Sequence, residues 1–319
     1  MEGQLESNDS LNKNKKKKAG LIVLLAIALV VAAFLILTGL GVINTEIFKE
    51  GFDMGYIYTN SDSYLVGSAE ISASDIKEID IDWVEGSVNI EVHTGDKLII
   101  SEPEGLEDAD RLRYKVENGR LTIKFRKSSF FRFKPLDKPL TVKIPESYRS
   151  FVLFMIETVS ANMKAASIIG DEVKLEAVSG NISIKDFTCN LMKVETVSGN
   201  IQIDNAAVEE LKLEAVSGDI NFIGNADDVD AETVSGTINL TSHTCPHTLD
   251  FESVSGDIKL RIPENDGFEL RLETVSGDFS CAFPTTKERK EYVYKNGRAD
   301  FKVETVSGDI KIERLDNSL

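Results

Sequence analysis

Four carboxylates in the second half of the chain have the residue type and spacing of a cation site. Asp230 and Glu232 are two residues apart, and Asp250 and Glu252 repeat this pair twenty residues later. Residues i and i+2 of a strand lie on one face, so two adjacent strands would bring the four carboxylates together. Ca²⁺ is held by several such oxygen ligands. The sequence therefore raises a calcium site as a hypothesis, and it predicts no other metal or cofactor.

A short basic and aromatic segment stands out from an acidic background. Residues 126–134 read Arg-Lys-Ser-Ser-Phe-Phe-Arg-Phe-Lys. Arginine pairs well with phosphate, and basic clusters are attracted to anionic lipid or polymer surfaces. One interpretation is an anionic-surface contact through Arg126, Lys127, Arg132 and Lys134. The alternative is a loop whose phenylalanines cover an open end of the fold.

The sequence contains no recognisable catalytic set. It has no Gly-rich phosphate loop, nucleophile elbow or Ser/His/Asp arrangement, and it holds three histidines in 319 residues. Its carboxylates recur in a regular pattern that is better explained as structural than as acid–base chemistry. A formal net charge of −17 argues against nucleic acid as a partner. We therefore expect a protein that is not an enzyme.

All of these side chains lie on or beside a repeated unit. The phrase Val-Ser-Gly-Asp/Asn-Ile recurs, and gaps of 19, 19, 19, 18, 20, 21 and 31 residues separate its serines. A short, regular period is typical of stacked repeat proteins. Below, positions are counted from this serine, which is Ser160, Ser179, Ser198, Ser217, Ser235, Ser255, Ser276 and Ser307.

Alternation within the unit predicts the fold. Positions −4, +3 and +5 are apolar and the positions between them are mostly polar, so each unit holds two strands that each bury one face. Seven of the eight units have glycine at +1, which suits a sharp corner. We predict an all-β, parallel β-solenoid of ~19–20-residue coils, in which Ile220 contacts Ile201 and Ile238.

Charged side chains form an outward column in this solenoid. Position −3 is Glu in every unit, and position −5 is Lys or Arg in five of them. A solvated Lys/Glu ladder explains this column better than a binding role does. In two units, position −5 is Asp230 or Asp250, so the glutamate at −3 has no basic neighbour on its own strand.

Position −1 is always Val, and strict alternation along the strand would point this side chain outward. Either the corner turns two successive residues inward, or a side layer covers the column.

The N-terminus predicts a membrane anchor. Residues 1–18 form a polar tail that contains five lysines, and residues 19–43 are uncharged and apolar. Twenty-five residues give a helix of roughly 37 Å, which is enough to cross a hydrocarbon core of ~30 Å. The lysines place the N-terminus in the cytoplasm, so the C-terminal domain would be extracytoplasmic on a single-pass protein of the cell membrane. An uncleaved anchor is favoured over a signal peptide because no good cleavage site follows.

The rest of the chain divides by its pattern. Residues 44–68 are predicted to be a juxtamembrane spacer, 69–150 degenerate N-terminal coils or a cap, and 151–319 the regular solenoid. Val84-Glu85-Gly86 matches the unit, with Glu85 in the serine position. The long last gap contains Asn296-Gly297 and alternating apolar residues, which predicts a hairpin insertion near 284–300.

These motifs resemble those of the bacterial putative-adhesin family of membrane-anchored β-solenoid proteins, which includes LiaG-like proteins. The resemblance covers roughly residues 70–319. It rests on the repeated Val-Ser-Gly-Asp/Asn-Ile phrase, on Leu140-Thr-Val-Lys-Ile-Pro145, and on the closing Thr305-Val-Ser-Gly-Asp-Ile310. Ala161 occupies position +1 of the first unit, where the other seven units have glycine. The resemblance implies a location at the cell envelope and a solenoid architecture, and it brings no catalytic residues with it.

Three functions remain open at this point. The leading one is a surface interaction module, adhesin-like or accessory to the cell-envelope stress response, which is held in the bilayer by residues 19–43 and contacts an unidentified protein or wall polymer. The second is a carbohydrate-active β-helix enzyme that acts on wall or extracellular polysaccharide. The third is a purely structural role within a membrane complex.

Overall fold

The computed structural model describes residues 56–129, 135–288 and 291–316. They form a single 22-stranded sheet with three short 3-10 helices at Ser61–Ser63, Asp108–Asp110 and Glu146–Tyr148, which confirms the all-β class. The predicted membrane span at 19–43 and the tail at 1–18 lie outside the described residues, as does most of the spacer at 44–68. No helix among the described residues has the length and apolar character needed to cross a bilayer.

The strands follow one another closely along the chain. The first eight are β1 Leu65–Val66, β2 Ala69–Ser72, β3 Glu78–His93, β4 Lys97–Ser101, β5 Arg113–Glu117, β6 Arg120–Lys124, β7 Lys138–Pro145 and β8 Ser150–Ala166. The next eight are β9 Ile169–Ser179, β10 Ile182–Lys185, β11 Thr188–Ser198, β12 Ile201–Ser217, β13 Ile220–Ser235, β14 Ile238–Ser242, β15 Thr248–Ser255 and β16 Ile258–Ile262. The last six are β17 Gly267–Ser276, β18 Phe279–Cys281, β19 Thr286–Glu288, β20 Glu291–Lys295, β21 Ala299–Ser307 and β22 Ile310–Arg314.

Successive units pair in parallel with equivalent positions side by side. Ile220 lies beside Ile201 on one side and beside Ile238 on the other, which confirms the predicted column. The register shifts once, between Asp204 and Ala206. The shift is needed because the interval from Ser217 to Ser235 is one residue shorter than the interval before it.

The order of the coils at the C-terminal end departs from the order in the sequence. Strand β21 pairs with β15 on one side and with β17 on the other, and β22 lies in the same way between β16 and β18. The coil of Ser307 is therefore inserted between the coils of Ser255 and Ser276, so simple sequential stacking is wrong here. The antiparallel hairpin of β19 and β20 lies in the connection that brings the chain back.

The N-terminal end has a similar exchange of order. Strand β3 pairs with β8 on one side, while β6 and β7 pair with its two halves on the other. Glu85 lies beside Ser160 and Gly86 beside Ala161, which confirms that this segment is a degenerate unit. Antiparallel strands β5 and β4 then pair with β6 and β7 and cover that end of the stack.

The core is a continuous interior filled by the inward columns. Leu213, Ile220 and Phe222 are at most 1% exposed, and their counterparts in most other coils are equally buried. Aromatic rings fill both ends of this core. Trp83 packs edge to face on Phe125 at one end, with ring centroids 4.9 Å apart. Near the other end, the ring of Phe268 stacks on that of Phe301 in β21, with centroids 4.9 Å apart.

Candidate functional site

The corner of each coil keeps the strict alternation of the strand that leads into it. The residue at −2 points inward and is buried in every coil except the coil of Ser276, and the Val at −1 points outward and is partly exposed. Val275 is the most accessible of these valines, with 44% of its surface exposed. Both interpretations of the Val column offered above are therefore wrong, because among the described residues the column is neither inward nor covered. The eight valines form a partly exposed stripe along the stack.

The inward column at −2 predicts a stabilising substitution. Thr233 is fully buried, and its hydroxyl has no hydrogen-bond partner among the described residues. Valine has nearly the same shape and lacks the hydroxyl, so Thr233→Val should raise the free energy of unfolding by about 1 kcal/mol. The measurement is the urea midpoint. Thr158→Val is the matched control, because the Thr158 hydroxyl donates to the Ala161 carbonyl at 3.3 Å and its removal should give no gain. Equal losses in both variants would contradict the reasoning.

The residues at +2 close the corners through a side-chain ladder. The side-chain oxygen of Asn181 accepts a hydrogen bond from the Asn200 backbone N–H at 2.9 Å, and Asn200 does the same for Asp219. Four further bonds of this kind run along the stack, at 2.8–2.9 Å. These side chains therefore cap the backbone N–H groups at the corners of neighbouring coils. Serines at position 0 and most residues at +2 remain exposed, and together they form what we call the corner ridge.

The outward glutamates at −3 are more enclosed than a solvated ladder would be. They lie side by side along the stack, and the column continues past Glu157 to Asp82 of β3. Glu195 is only 7% exposed. Burial, followed by the neighbouring carboxylates of Glu195 and Glu157, raises the pKa of Glu176 from 4.5 to about 7. Burial and Asp230 raise the pKa of Glu232 to about 7 as well.

These shifts predict a stability that falls as the pH rises. Between pH 4.5 and about 7 the folded state keeps protons on Glu176 and Glu232 that the unfolded chain has released, so stability decreases through this window. We expect a higher urea midpoint at pH 5 than at pH 8. Because these side chains are partly exposed, Glu176→Gln should gain only about 1 kcal/mol at pH 8 and should flatten the pH dependence.

Glu313 provides a control of opposite sign. Hydrogen bonds from Lys311 and Arg261 lower the pKa of its carboxyl to about 2. Its favourable contribution is present above pH 4.5 and is lost as the pH falls toward 2. Glu313→Gln should therefore lower the urea midpoint at pH 8. If both glutamine variants moved the midpoint in the same direction at pH 8, the explanation by local charge would be wrong.

The four carboxylates of the calcium hypothesis do come together. Asp230 lies beside Asp250, and Glu232 lies beside Glu252. The inserted coil adds a cation that the sequence order hides, because Lys302 lies beside Asp250 and contacts it at 3.0 Å and Glu252 at 2.7 Å. Within the described ranges, no three His, Cys, Asp or Glu side chains are placed to hold a metal ion. The calcium site stays a prediction, and the Lys302 ammonium already pairs with two of its four carboxylates.

A shallow depression of about 400 Å³ opens next to these carboxylates. Asp230, Asp250 and Lys302 line it together with Arg271, whose guanidinium contacts Asp300 at 2.5 Å. Its floor carries both acidic and basic groups, with Asp230 beside Asp250 and Lys302 beside Arg271. This pairing of charges leaves the depression better suited to holding strands in register than to binding a free ion.

The basic segment is only partly described. Arg132 and Lys134 lie outside the described residues. Arg126 is 7% exposed, and its guanidinium carbon lies 5.8 Å from the centre of the Phe125 ring. Lys127 is exposed and pairs with Asp62 at 3.3 Å. A contact with an anionic surface through these four residues stays a prediction, and Arg126 presents little surface for it.

One buried ion pair has no signal in the sequence. The Lys138 ammonium contacts Glu102 at 2.6 Å, and their side chains are 1% and 2% exposed. The ammonium also lies 4.8 Å from the ring centres of Trp83 and Phe125. Both carboxylate oxygens of Glu102 accept from the Leu112 N–H at 2.9 Å. Burial lowers the pKa of Lys138 to about 8. Residue spacing could not reveal this pair, because its members are 36 residues apart and two strands, β5 and β6, lie between them in the sequence.

Comparison with solved structures found similar chains at low identity. The chain is similar to an adhesin described as putative from Bacteroides fragilis, at 13% identity and a TM-score of 0.49, over 79% of this chain and 97% of that chain. It is also similar to a putative lipid-binding protein from Parabacteroides distasonis, at 16% identity and a TM-score of 0.43, over 79% and 97% of the two chains. Among curated proteins, none matches.

The family model is more specific than these structural similarities. The model described as Toastrack DUF4097 matches residues 71–313, which run from β2 to β22 and include every repeated unit. The corner glycines, the glutamate column and the coils whose order is exchanged at the two ends all lie within the matched range. The chain belongs to the Toastrack DUF4097 family.

Proposed function

We propose that this protein is a non-enzymatic, adhesin-like interaction module that a single membrane span at residues 19–43 holds outside the cell. The proposed partner is an envelope protein or a wall polymer, and an accessory role in the envelope stress response would use the same contact. The observation that supports the proposal is the corner ridge. It repeats an exposed serine and a short polar side chain in each successive coil, one strand spacing apart. Such repetition favours many weak contacts made together.

The charged groups do not favour an enzyme. Raised pKa values occur along the glutamate column, at Glu157, Glu176, Glu214 and Glu232. A catalytic acid differs from its neighbours, whereas these residues share one environment and one cause, which is burial beside other carboxylates. The column is therefore better explained by strand stacking than by glycoside hydrolysis.

A binding experiment tests the contact. Isolated envelope fragments are incubated with the full chain in detergent, and the bound fraction is measured by sedimentation. The ridge variant carries Ser198→Arg, Ser217→Arg and Ser235→Arg, three exposed positions on adjacent coils. Loss of several contacts at once should lower binding at least ~10-fold.

The control places the same charge elsewhere. Thr188, Ala207 and Asn225 are exposed, neutral and adjacent on consecutive coils away from the ridge. Arginine at these three positions should leave binding within about 2-fold of the wild type. Equal effects of the two triple variants would show that added charge, and not the ridge, changes binding.

The location needs its own test. A cysteine introduced at Ser217 in a chain that lacks the three native cysteines should react with a membrane-impermeant maleimide on intact cells. Ser217 is exposed, so labelling depends on which side of the membrane it occupies. Labelling only after lysis would place the solenoid inside the cell and reject the proposed orientation.

A further inference from the structure

The buried pair of Lys138 and Glu102 lies at the end of the stack that contains β4 to β7. Glu102 directly follows β4, and Lys138 begins β7. These two strands pair in antiparallel fashion, with Ser101 beside Thr141, so the chain brings the two side chains together from opposite directions. Strands β5 and β6 lie in the segment between them. A covalent bond between the two side chains would close this segment into a loop.

The amine nitrogen and the carboxyl group of this pair are in contact in a site closed to water. Lys138 Nζ lies 2.6 Å from Glu102 Oε2, and the two side chains are 1% and 2% exposed. The ring centres of Trp83 and Phe125 lie 4.8 Å from the nitrogen. Well-oriented groups held in contact react with effective molarities of about 10⁵–10⁸ M. Condensation of this amine with this carboxyl group therefore avoids the entropy cost of bringing the two together.

Burial also favours the uncharged forms of both groups. An amine must lose its proton before it acts as a nucleophile, and a buried lysine loses this proton more readily than an exposed one. Burial lowers the pKa of Lys138 to about 8, although the hydrogen bond to Glu102 opposes this change. Proton transfer along that hydrogen bond gives a neutral amine beside a carboxylic acid, which are the two reactants of amide formation. An amide product would also remove two charges that are costly to bury.

The hydrogen-bond partners of an amide are already in place. The Leu112 N–H donates to both oxygens of Glu102 at 2.9 Å. It can therefore stabilise the negative oxygen of a tetrahedral intermediate and then bind the carbonyl oxygen of the product. Lys138 Nζ donates to the Asp110 carbonyl oxygen at 2.8 Å, and an amide N–H on the same nitrogen can keep that bond. Both polar groups of the product would be satisfied, as buried polar groups in proteins generally are.

We propose that Lys138 and Glu102 condense to an intramolecular amide, so that this end of the stack is a site of spontaneous covalent modification. The neutral Nζ of Lys138 attacks Cδ of the protonated Glu102 carboxyl group, and an N–C bond forms. A proton then passes from the nitrogen to the hydroxyl oxygen of Glu102, the C–O bond breaks, and one water molecule leaves. The reaction balances without an oxidant, a reductant or another reactant.

The amide would join the end of β4 to the start of β7 and enclose β5 and β6 in a closed loop. A cross-link restricts the unfolded chain, as a disulfide does, so the condensed form should unfold at a higher urea concentration than the uncondensed form. A chain that has not condensed keeps the ion pair described above, and the two forms differ in mass. This inference goes beyond the proposed function and does not depend on it.

Mass spectrometry of the full chain in detergent tests this bond. The condensed form should be lighter than the sequence mass by one water, ~18 Da, and its fraction should increase while the folded protein is incubated. After tryptic digestion, the peptides that contain Glu102 and Lys138 should be found joined. Glu264 and Lys295 are the control in the same digest, because they are also 2.6 Å apart but nearly half exposed. Their peptides should remain separate.

Two variants test the chemistry of the reaction. Lys138→Met removes the nucleophile and keeps most of the side-chain volume, so the loss of mass and the joined peptides should both disappear. Glu102→Gln keeps the amine and offers it a carboxamide, so the same amide should form with loss of one ammonia, ~17 Da, instead of one water. The condensed forms of this variant and of the wild type should then have the same mass, which an ion pair with a purely structural role would not produce.

Three results would overturn the proposal. One is incubated wild-type protein that keeps its full sequence mass, with the peptides of Glu102 and Lys138 separate. Another is a loss of water that persists in Lys138→Met, because the water would then come from a different site. The third is joining of Glu264 to Lys295 at an equal yield, which would show that contact alone is sufficient and that the buried site has no special reactivity.

Discussion

Replacing Gly218 by alanine is expected to lower the free energy of unfolding by about 3–5 kcal/mol. Gly218 has φ +145°, and an added Cβ would lie 1.9 Å from the Gly199 carbonyl oxygen of the neighbouring coil. That oxygen belongs to backbone that cannot rotate away. The corner would have to separate from its neighbour, and the hydrogen bonds between the coils would lengthen. The measurement is the urea midpoint, followed by circular dichroism.

Gly170→Ala is the matched control for this effect. Gly170 is also a strand glycine, but it has ordinary negative or extended φ, and its added Cβ would meet nothing closer than 3.4 Å. Alanine there should change stability by less than about 1 kcal/mol, and the reduced freedom of the unfolded chain favours a small gain. If the two alanine variants behaved alike, close packing of the corners would not be the reason for glycine at +1.

Replacing Lys138 by alanine is expected to cost about 3 kcal/mol, because it leaves the buried Glu102 carboxylate with only the more distant Arg111, whose Nε lies 4.0 Å away. The loss includes the contacts of the ammonium with the rings of Trp83 and Phe125. The double variant Lys138→Met with Glu102→Gln removes both charges and keeps most of the volume, so it should recover at least about half of the loss.

An exposed ion pair is the control for this experiment, because it has the same charges without the burial. Lys97 contacts Glu70 at 3.1 Å, and both side chains are more than half exposed. Lys97→Ala should leave the urea midpoint nearly unchanged, since exposed pairs contribute little. A loss for Lys138→Ala no larger than for Lys97→Ala, or a double variant less stable than Lys138→Ala, would contradict the role given to the buried pair.

The repeat made most of the solenoid predictable. The alternation of apolar and polar residues around each serine can be read within one unit. Successive side chains of a strand point to opposite faces, whichever strands lie beside it. The column through Ile220 follows from this alternation and is confirmed. The direction of the Val column was also implied by parity, and the added explanations for it were unnecessary. The membrane span lies in residues that the structure does not describe, so that prediction stands as made.

The candidate site was less predictable than the fold. The sequence brings Asp230, Glu232, Asp250 and Glu252 onto one face correctly, yet it gives no hint that Lys302 lies among them. The pairing of Lys138 with Glu102 is equally hidden. In both cases the partner comes from a distant segment, and its position depends on how the ends of the stack are assembled.

By itself, the sequence determined the repeat, its two strands, their inward and outward faces, and the glycine corners, because these follow from residue type and spacing within one unit. Only the tertiary structure decided which coils are neighbours at the two ends. Every unit carries nearly the same columns, so several orders of stacking satisfy the local pattern equally well. The choice is made by long-range pairing, by the length of the connecting hairpin, and by charges such as Lys302 beside Asp250.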